Sequence, residues 1–194
     1  MSATRLLVLG VVRMYGKAHG YQVRRELLTW SADKWANVKP GSIYHALKKM
    51  SAEKLLEQVD VEPGDGGPDR VAYRLTPAGE AEFEILLTTS LSSPESTGHD
   101  MSAGITLMTA LPRQHVVDLL RHRLVRLESD HRSALLLLEQ GAKHGKPAHV
   151  EDLYRLWEKH SAASVSWLKD VVERLEAGEY VMADDPGKAF GEPG

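Results

Sequence analysis

Residues 56–77, LEQVDVEPGDGGPDRVAYRLTP, decide the fold. Apolar and polar side chains alternate from Leu56 to Glu62, the period of a strand with one buried face. Pro63-Gly64-Asp65-Gly66-Gly67-Pro68 then supplies turn chemistry, and Val71, Tyr73 and Leu75 alternate with Ala72 and Arg74. The stretch predicts a β-hairpin with a long loop. Thr76-Pro77 reads as an N-cap followed by a first-turn proline, so a helix carrying Phe83, Ile85, Leu86 and Leu87 starts where the second strand ends.

Upstream, residues 4–16 are apolar nearly all round (Leu6, Leu7, Val8, Leu9, Val11, Val12, Met14) and predict a buried helix ended by Gly16. His19-Gly20 turns the chain into a second, shorter helix over Tyr21 to Trp30, with Tyr21, Val23, Leu27 and Leu28 apolar and Arg24, Arg25 and Glu26 polar. Residues 31–39 read as a polar connection. Pro40 or Gly41 opens a third helix running to about Leu55. Three helices, a hairpin and a further helix make a winged helix-turn-helix.

Downstream, residues 91–104, with their serines, Pro94, Gly98 and Gly104, show no periodicity and read as a linker. From Pro112, Val117, Leu120, Leu124, Leu127, His131, Ala134 and Leu138 step alternately by three and four, a heptad-like seam broken by residues 141–147. A second long helix follows from about Ala148 to Glu176. Two long helices on a short loop predict an antiparallel pair. The expected organisation is a winged helix-turn-helix over 1–90, a linker over 91–104, a helical dimerisation and effector region over 105–177, and a flexible tail over 178–194. The fold class is thus mainly α with a small β-hairpin wing.

Composition narrows the function. The 194 residues contain no cysteine, which excludes disulfides, thiolate metal sites and thiol nucleophiles. No apolar run approaches the ~18 residues of a membrane span, and the N-terminus lacks the marks of a secretory leader, so a cytoplasmic chain without membrane contact is expected. No nucleophile elbow, phosphate-binding loop, dinucleotide fingerprint or zinc-protease motif is present. The nine histidines form no compact ligand set; His115 and His122 stand seven apart. An enzyme, a cofactor and a metal are therefore not expected. His131, inside the seam, reads as a hydrogen-bonded core or interface residue.

Charge is distributed unevenly. Residues 1–55 hold ten Lys/Arg against Glu26, Asp33 and Glu53, a net +7 in a chain whose total is −3. A basic block joined to an acidic remainder suits a phosphate-binding module attached to an assembly module. On a helical wheel the third helix puts Ile43, Leu47 and Met50 on one side and His45, Lys48, Lys49 and Ala52 on the other, with Ser42 at the flank. Short polar groups near its start and lysines beyond them suit base edges and flanking phosphates in a major groove.

Leu6 to Gly10, His19-Gly20-Tyr21, Pro40-Gly41-Ser42-Ile43-Tyr44 with Ala46-Leu47, and Tyr73-Arg74-Leu75-Thr76-Pro77-Ala78-Gly79 closely resemble the PadR-like transcriptional regulators, in order and spacing, across residues 5–85. The resemblance implies a homodimeric winged-helix protein that binds double-stranded DNA and dimerises through C-terminal helices. The expected activity is repression from a roughly palindromic operator, with Lys39, Ser42, Tyr44, His45, Lys48 and Lys49 on or beside the third helix and Arg70 and Arg74 in the wing at the DNA. Tyr44 either anchors the helix or reaches the DNA backbone, and Tyr21 reads first as an architectural residue packing at the start of the second helix, a hydroxyl contact to phosphate being the lesser alternative. The alternative is a winged-helix scaffold whose basic face meets an acidic protein.

Two features depart from the family pattern. Glu53-Lys54-Leu55 stands where members commonly have a glycine after the third helix, so that helix needs another cap or runs on. The hairpin tip sets Asp65 and Asp69 beside Arg70, so few wing contacts to phosphate are expected. Because regulators of this family often respond to small aromatic molecules, Trp157 and Trp167 are the candidate effector-binding residues. Ten residues apart, they diverge by about 80° around their helix, while Trp30 and Trp35 flank the turn before the third helix.

Overall fold

The computed structural model describes residues 3–62, 70–93, 97–143 and 147–189. The expected turn at 63–69, with Asp65 and Asp69, and the chain end at 190–194 lie outside them. Helix α1 (Ala3–Tyr15) runs through the core, with Leu6, Leu7, Val8, Leu9, Val11 and Val12 fully buried. Strand β1 (Ala18–His19), α2 (Gly20–Thr29), α3 (Ala32–Trp35) and α4 (Pro40–Ala52) follow. Next come β2 (Leu56–Glu62), β3 (Arg70–Leu75) and α5 (Pro77–Ser92). The predicted mainly helical winged helix-turn-helix is the observed fold.

Three local differences refine it. The wing has three strands in the order β1-β3-β2, all antiparallel, because Ala18 and His19 pair with Tyr73 and Ala72; two residues are too few to show a period. A one-turn helix, α3, interrupts the connection at 31–39, where Trp35 Nε1 donates to Trp30 O at 2.8 Å. In the hairpin, Leu56 faces Leu75 and Glu57 faces Arg74, until a bulge between Val59 and Glu62 puts Asp60 at φ 50°.

The end of α4 answers the missing glycine. Lys54 itself adopts the left-handed conformation, at φ 61°. Lys54 N donates to Ser51 O at 3.0 Å and Leu55 N to Met50 O at 2.9 Å, the paired bonds of a Schellman cap. The next turn locks onto this cap: Thr76 N donates to Leu55 O at 3.0 Å, and Thr76 Oγ1 lies 2.7 Å from Lys54 O while accepting from Gly79 N at 3.1 Å. An added Cβ on Gly79 would stand 2.1 Å from Leu55 O. Only a glycine lets α5 start this close to the end of α4.

The linker expected at 91–104 is corrected by α6 (Gly98–Leu107), which begins in a capping box: Thr97 Oγ1 accepts from Asp100 N and Asp100 Oδ2 from Thr97 N. Met101, Ala103 and Leu107 are buried. Added Cβ atoms at Gly10 and Gly104 would fall 2.6 Å from the Leu107 side chain and 2.4 Å from Ser90 Oγ, so Leu107 of α6 seats on the backbone of α1 and Ser90 of α5 on the backbone of α6. Gly104, one of the small residues that read as a linker, permits this approach. A boundary at residue 105 would cut α6.

After a 3-10 turn (Met108–Ala110), α7 (Arg113–Lys143) and α8 (Ala148–Glu176) occur where the periodicity put them. They run antiparallel, since Arg121 meets Glu176, Glu128 meets Lys169 at 2.8 Å and His131 meets Ser161 at 3.0 Å. Val116, Val117 and Leu120 on α7 and Leu168, Val171, Val172 and Leu175 on α8 join the winged-helix core without a break. The tail expected from residue 178 is likewise corrected for residues 178–189. Met182 is fully buried, Arg113 donates to Leu175 O at 2.6 Å and Tyr180 O at 2.8 Å and pairs with Asp185, and Arg113 N donates to Asp184 Oδ1 at 2.9 Å.

Candidate nucleic-acid interface

Helix α4 presents the face its wheel predicts. Ile43, Leu47 and Met50 are buried, while Tyr44, His45, Lys48 and Lys49 are exposed, with Lys39 exposed at the N-cap. The face has two flanks. Toward α2, the ring of Tyr44 lies on Gly20, where an added Cβ would come within 2.6 Å of Tyr44 Cε1, and Lys48 follows one turn later. Toward α1, Ser42, His45 and Lys49 line an open groove of about 230 Å³ with Thr4 and Arg5.

Ser42 has a second commitment. Its Oγ accepts from Lys39 N at 3.0 Å and donates to Lys39 O at 2.7 Å, so its single proton closes the N-terminus of α4. Lys39, Lys48 and Lys49 have no ion-pair partner among the described residues.

The wing cations are differently placed. Arg74 Nε binds Glu57 Oε1 at 2.7 Å, directly across the strand pair. Lys17, just before β1, closes on Asp60 in the bulge, and this bond, reinforced by the lysine's charge, holds the Asp60 carboxyl below the usual carboxylate range. The backbone of Arg70 opens β3; its side chain lies outside the described residues. Arg5, in the groove beside Lys49, is held by Glu53 at 2.6 Å and Glu82 at 2.9 Å. Tyr21 is exposed rather than packed into the core, its ring stacked on His19 at 5.5 Å. Arg24 stands one turn further along the same outer side of α2, exposed and without an ion-pair partner among the described residues. Sequence reading passed over it as ordinary polar surface; its three-residue step from Tyr21 is the signal that places both on one side.

Residues 8–85, from α1 into α5, match the model of the transcriptional regulator PadR-like family. These residues belong to the PadR-like family. No curated protein matches the chain. Among solved structures, PadR of Bacillus subtilis in complex with operator DNA is 20% identical, with 88% of this chain and 98% of that one covered and a TM-score of 0.40. The same regulator in complex with p-coumaric acid is 19% identical, covering 90% and 96%, with a TM-score of 0.38. The smu.1604c protein of Streptococcus mutans UA159 is 18% identical, covering 89% and 99%, with a TM-score of 0.39.

Among the described residues of this chain, one buried cation bridges the winged helix and the long helices. Arg123 on α7 is 8% exposed, and its Nη1 donates to Ser93 O at 2.5 Å, just past the end of α5. It neutralises the negative end of that helix, and burial lowers its pKa from the usual guanidinium value. Further out, Trp157 and Trp167 are 47% and 45% exposed and do not share a site. Trp157 lines an open groove of about 420 Å³ between α7 and α8 with Leu127, Asp130, Leu137 and His160; Trp167 is not part of it. Trp30 and Trp35 pack partly buried against the core. His131 Nδ1 meets Ser161 Oγ at 3.0 Å, and that hydroxyl also lies 2.8 Å from Trp157 O. A hydroxyl has one proton; directed to the helix carbonyl, it leaves His131 Nδ1 as donor in the neutral ring. No helix among the described residues is long and apolar enough to cross a membrane.

Proposed function

We propose that the chain is a homodimeric, sequence-specific DNA-binding repressor acting in the cytoplasm on a roughly palindromic operator. The observation that carries the reading is the exposed face of α4, where His45, Lys48 and Lys49 stand beside Tyr44 and Lys39 with no acidic partner among the described residues, while Arg74 of the wing and Arg5 and Arg13 of α1 are paired. His45 meets base edges, Lys48 and Lys49 meet phosphates, and Ser42 holds the helix start from which they project.

Val125, Leu136, Leu153 and Leu156 leave large apolar groups in water along α7 and α8, Val125 as much as 63% exposed. A second copy covers them and sets two α4 helices about one DNA turn apart. Operator occupancy then blocks transcription by exclusion. A planar aromatic effector stacks on Trp157 in the α7–α8 groove, which has the volume of a small-ligand site, and releases DNA by favouring a different spacing of the two α4 helices.

Selection of bound fragments from genomic DNA tests the main reading. Enrichment of one palindrome, with binding that weakens steeply in salt, is the expected result. Equal binding to all duplexes, or none, refutes it and favours an acidic protein as partner of the same face.

A further inference from the structure

The cations of the winged helix differ in what they already hold. A phosphate at Arg74 would compete with Glu57, 2.7 Å away, whose own charge repels it. Lys17 is committed to Asp60 in the same way. On the other side of α4 the groove cation Arg5 is held by two carboxylates. The flank toward α2 carries no such competition: Arg24 and Lys48 are exposed and unpaired among the described residues. They are joined by two exposed tyrosines. Tyr44 lies on Gly20, the first residue of α2; Tyr21 is the next residue, propped on His19; Arg24 follows one turn on.

We propose that the DNA backbone is gripped along this strip, from Lys48 and Tyr44 on α4 across to Tyr21 and Arg24 on α2, and that Arg74 of the wing makes no phosphate contact. The inference rests on the reading that α4 enters a DNA groove, and adds which neighbouring element tracks the phosphates. Two cations supply charge, and the hydroxyls between them donate to phosphate oxygens without adding to the salt dependence. Arg74, neutralised by Glu57, ties the two strands of the hairpin together instead.

The test uses the full chain and its selected operator duplex, with affinity measured from about 50 to 200 mM KCl. Each phosphate bound by a cation contributes about 0.9 to the slope of log K against log salt, and a two-fold complex binds each such phosphate twice. Arg24→Ala is expected to lower the slope by about 1.8, and Tyr21→Phe to weaken binding with the slope unchanged. The charge-neutral double substitution Glu57→Gln with Arg74→Gln is expected to leave both slope and affinity at the parent's values. An unchanged slope in Arg24→Ala, or a reduced slope in the double variant, overturns the strip while leaving DNA binding itself intact. A parent chain that binds no duplex overturns the functional reading and the strip together. All these side chains are exposed, and matching thermal melts confirm that folding is not the cause.

Discussion

Replacing Gly79 by alanine separates local propensity from tertiary geometry, because the two predict opposite signs. Gly79 is the third residue of α5, and in a helix alanine is favoured over glycine by up to about 1 kcal/mol. The added Cβ, however, would stand 2.1 Å from Leu55 O. An ordinary carbon–oxygen approach needs about 3.3 Å, so the turn between α4 and β2 must separate from α5 by roughly 1 Å. Forcing such a shift in packed structure costs about 1–3 kcal/mol. It also breaks the 3.0 Å bond from Thr76 N to Leu55 O, worth about 1 kcal/mol. That bond offsets the propensity gain, leaving a net destabilisation of about 1–3 kcal/mol. Urea unfolding followed by tryptophan fluorescence, at fixed protein concentration because a dimer's stability depends on it, reads this directly. Gly98→Ala is the control: it is also helical, with nothing within 4 Å of the new carbon, and is expected to be neutral or slightly stabilising. Gly79→Ala at or above parental stability would show that the α4–α5 junction is not as tight as described. A destabilised Gly79→Ala should also bind operator more weakly, since the same junction orients the wing against α4.

Lys54→Gly removes the left-handed strain of a side chain at φ 61°, and after the entropy returned to the unfolded chain should stabilise by about 0.5–1 kcal/mol in the same assay. Lys48→Ala with Lys49→Ala should weaken operator binding and lower its salt slope by about one unit for each phosphate the lysines bind, and a double variant that binds like the parent would dismiss the α4 face. Leu136→Glu with Leu153→Glu, both at exposed positions, should give monomers by sedimentation and much weaker operator binding, because the second half-site is no longer linked to the first. Glu128 is held below the ordinary glutamate range by its hydrogen bond from Lys169 and then by that lysine's charge. A lowered folded-state pKa adds stability above the unfolded value and loses it as pH falls through the folded one, so Lys169→Ala should raise the Glu128 titration in NMR and flatten the acid limb of stability.

What sequence alone determined is whatever depends on neighbours along the chain. Alternation at 56–62 and 71–75 gives strands, Thr76-Pro77 and Pro40 start helices, and the spacing of Ile43, Leu47 and Met50 sets the buried and exposed sides of α4. The three-and-four steps from Val117 onward likewise define α7. Periodicity and capping are properties of single elements, and the elements keep them in the fold. What tertiary structure decided involves partners far apart in sequence. Residues 98–107 form a helix because Gly10, Gly104 and Ser90 allow close packing on α1 and α5. Residues 178–189 are ordered because Arg113 and Leu111 hold them, and β1 exists because β3 is there to pair with it. The same distinction divides the candidate site. The wheel puts Lys48, Lys49, His45 and Tyr44 on one face, but that Arg74 is spent on Glu57, Ser42 on the helix start and Arg5 on two glutamates depends on which charges the fold brings within a few ångströms. A cation's availability to DNA is set by its nearest carboxylate, and spacing along the chain does not report that distance.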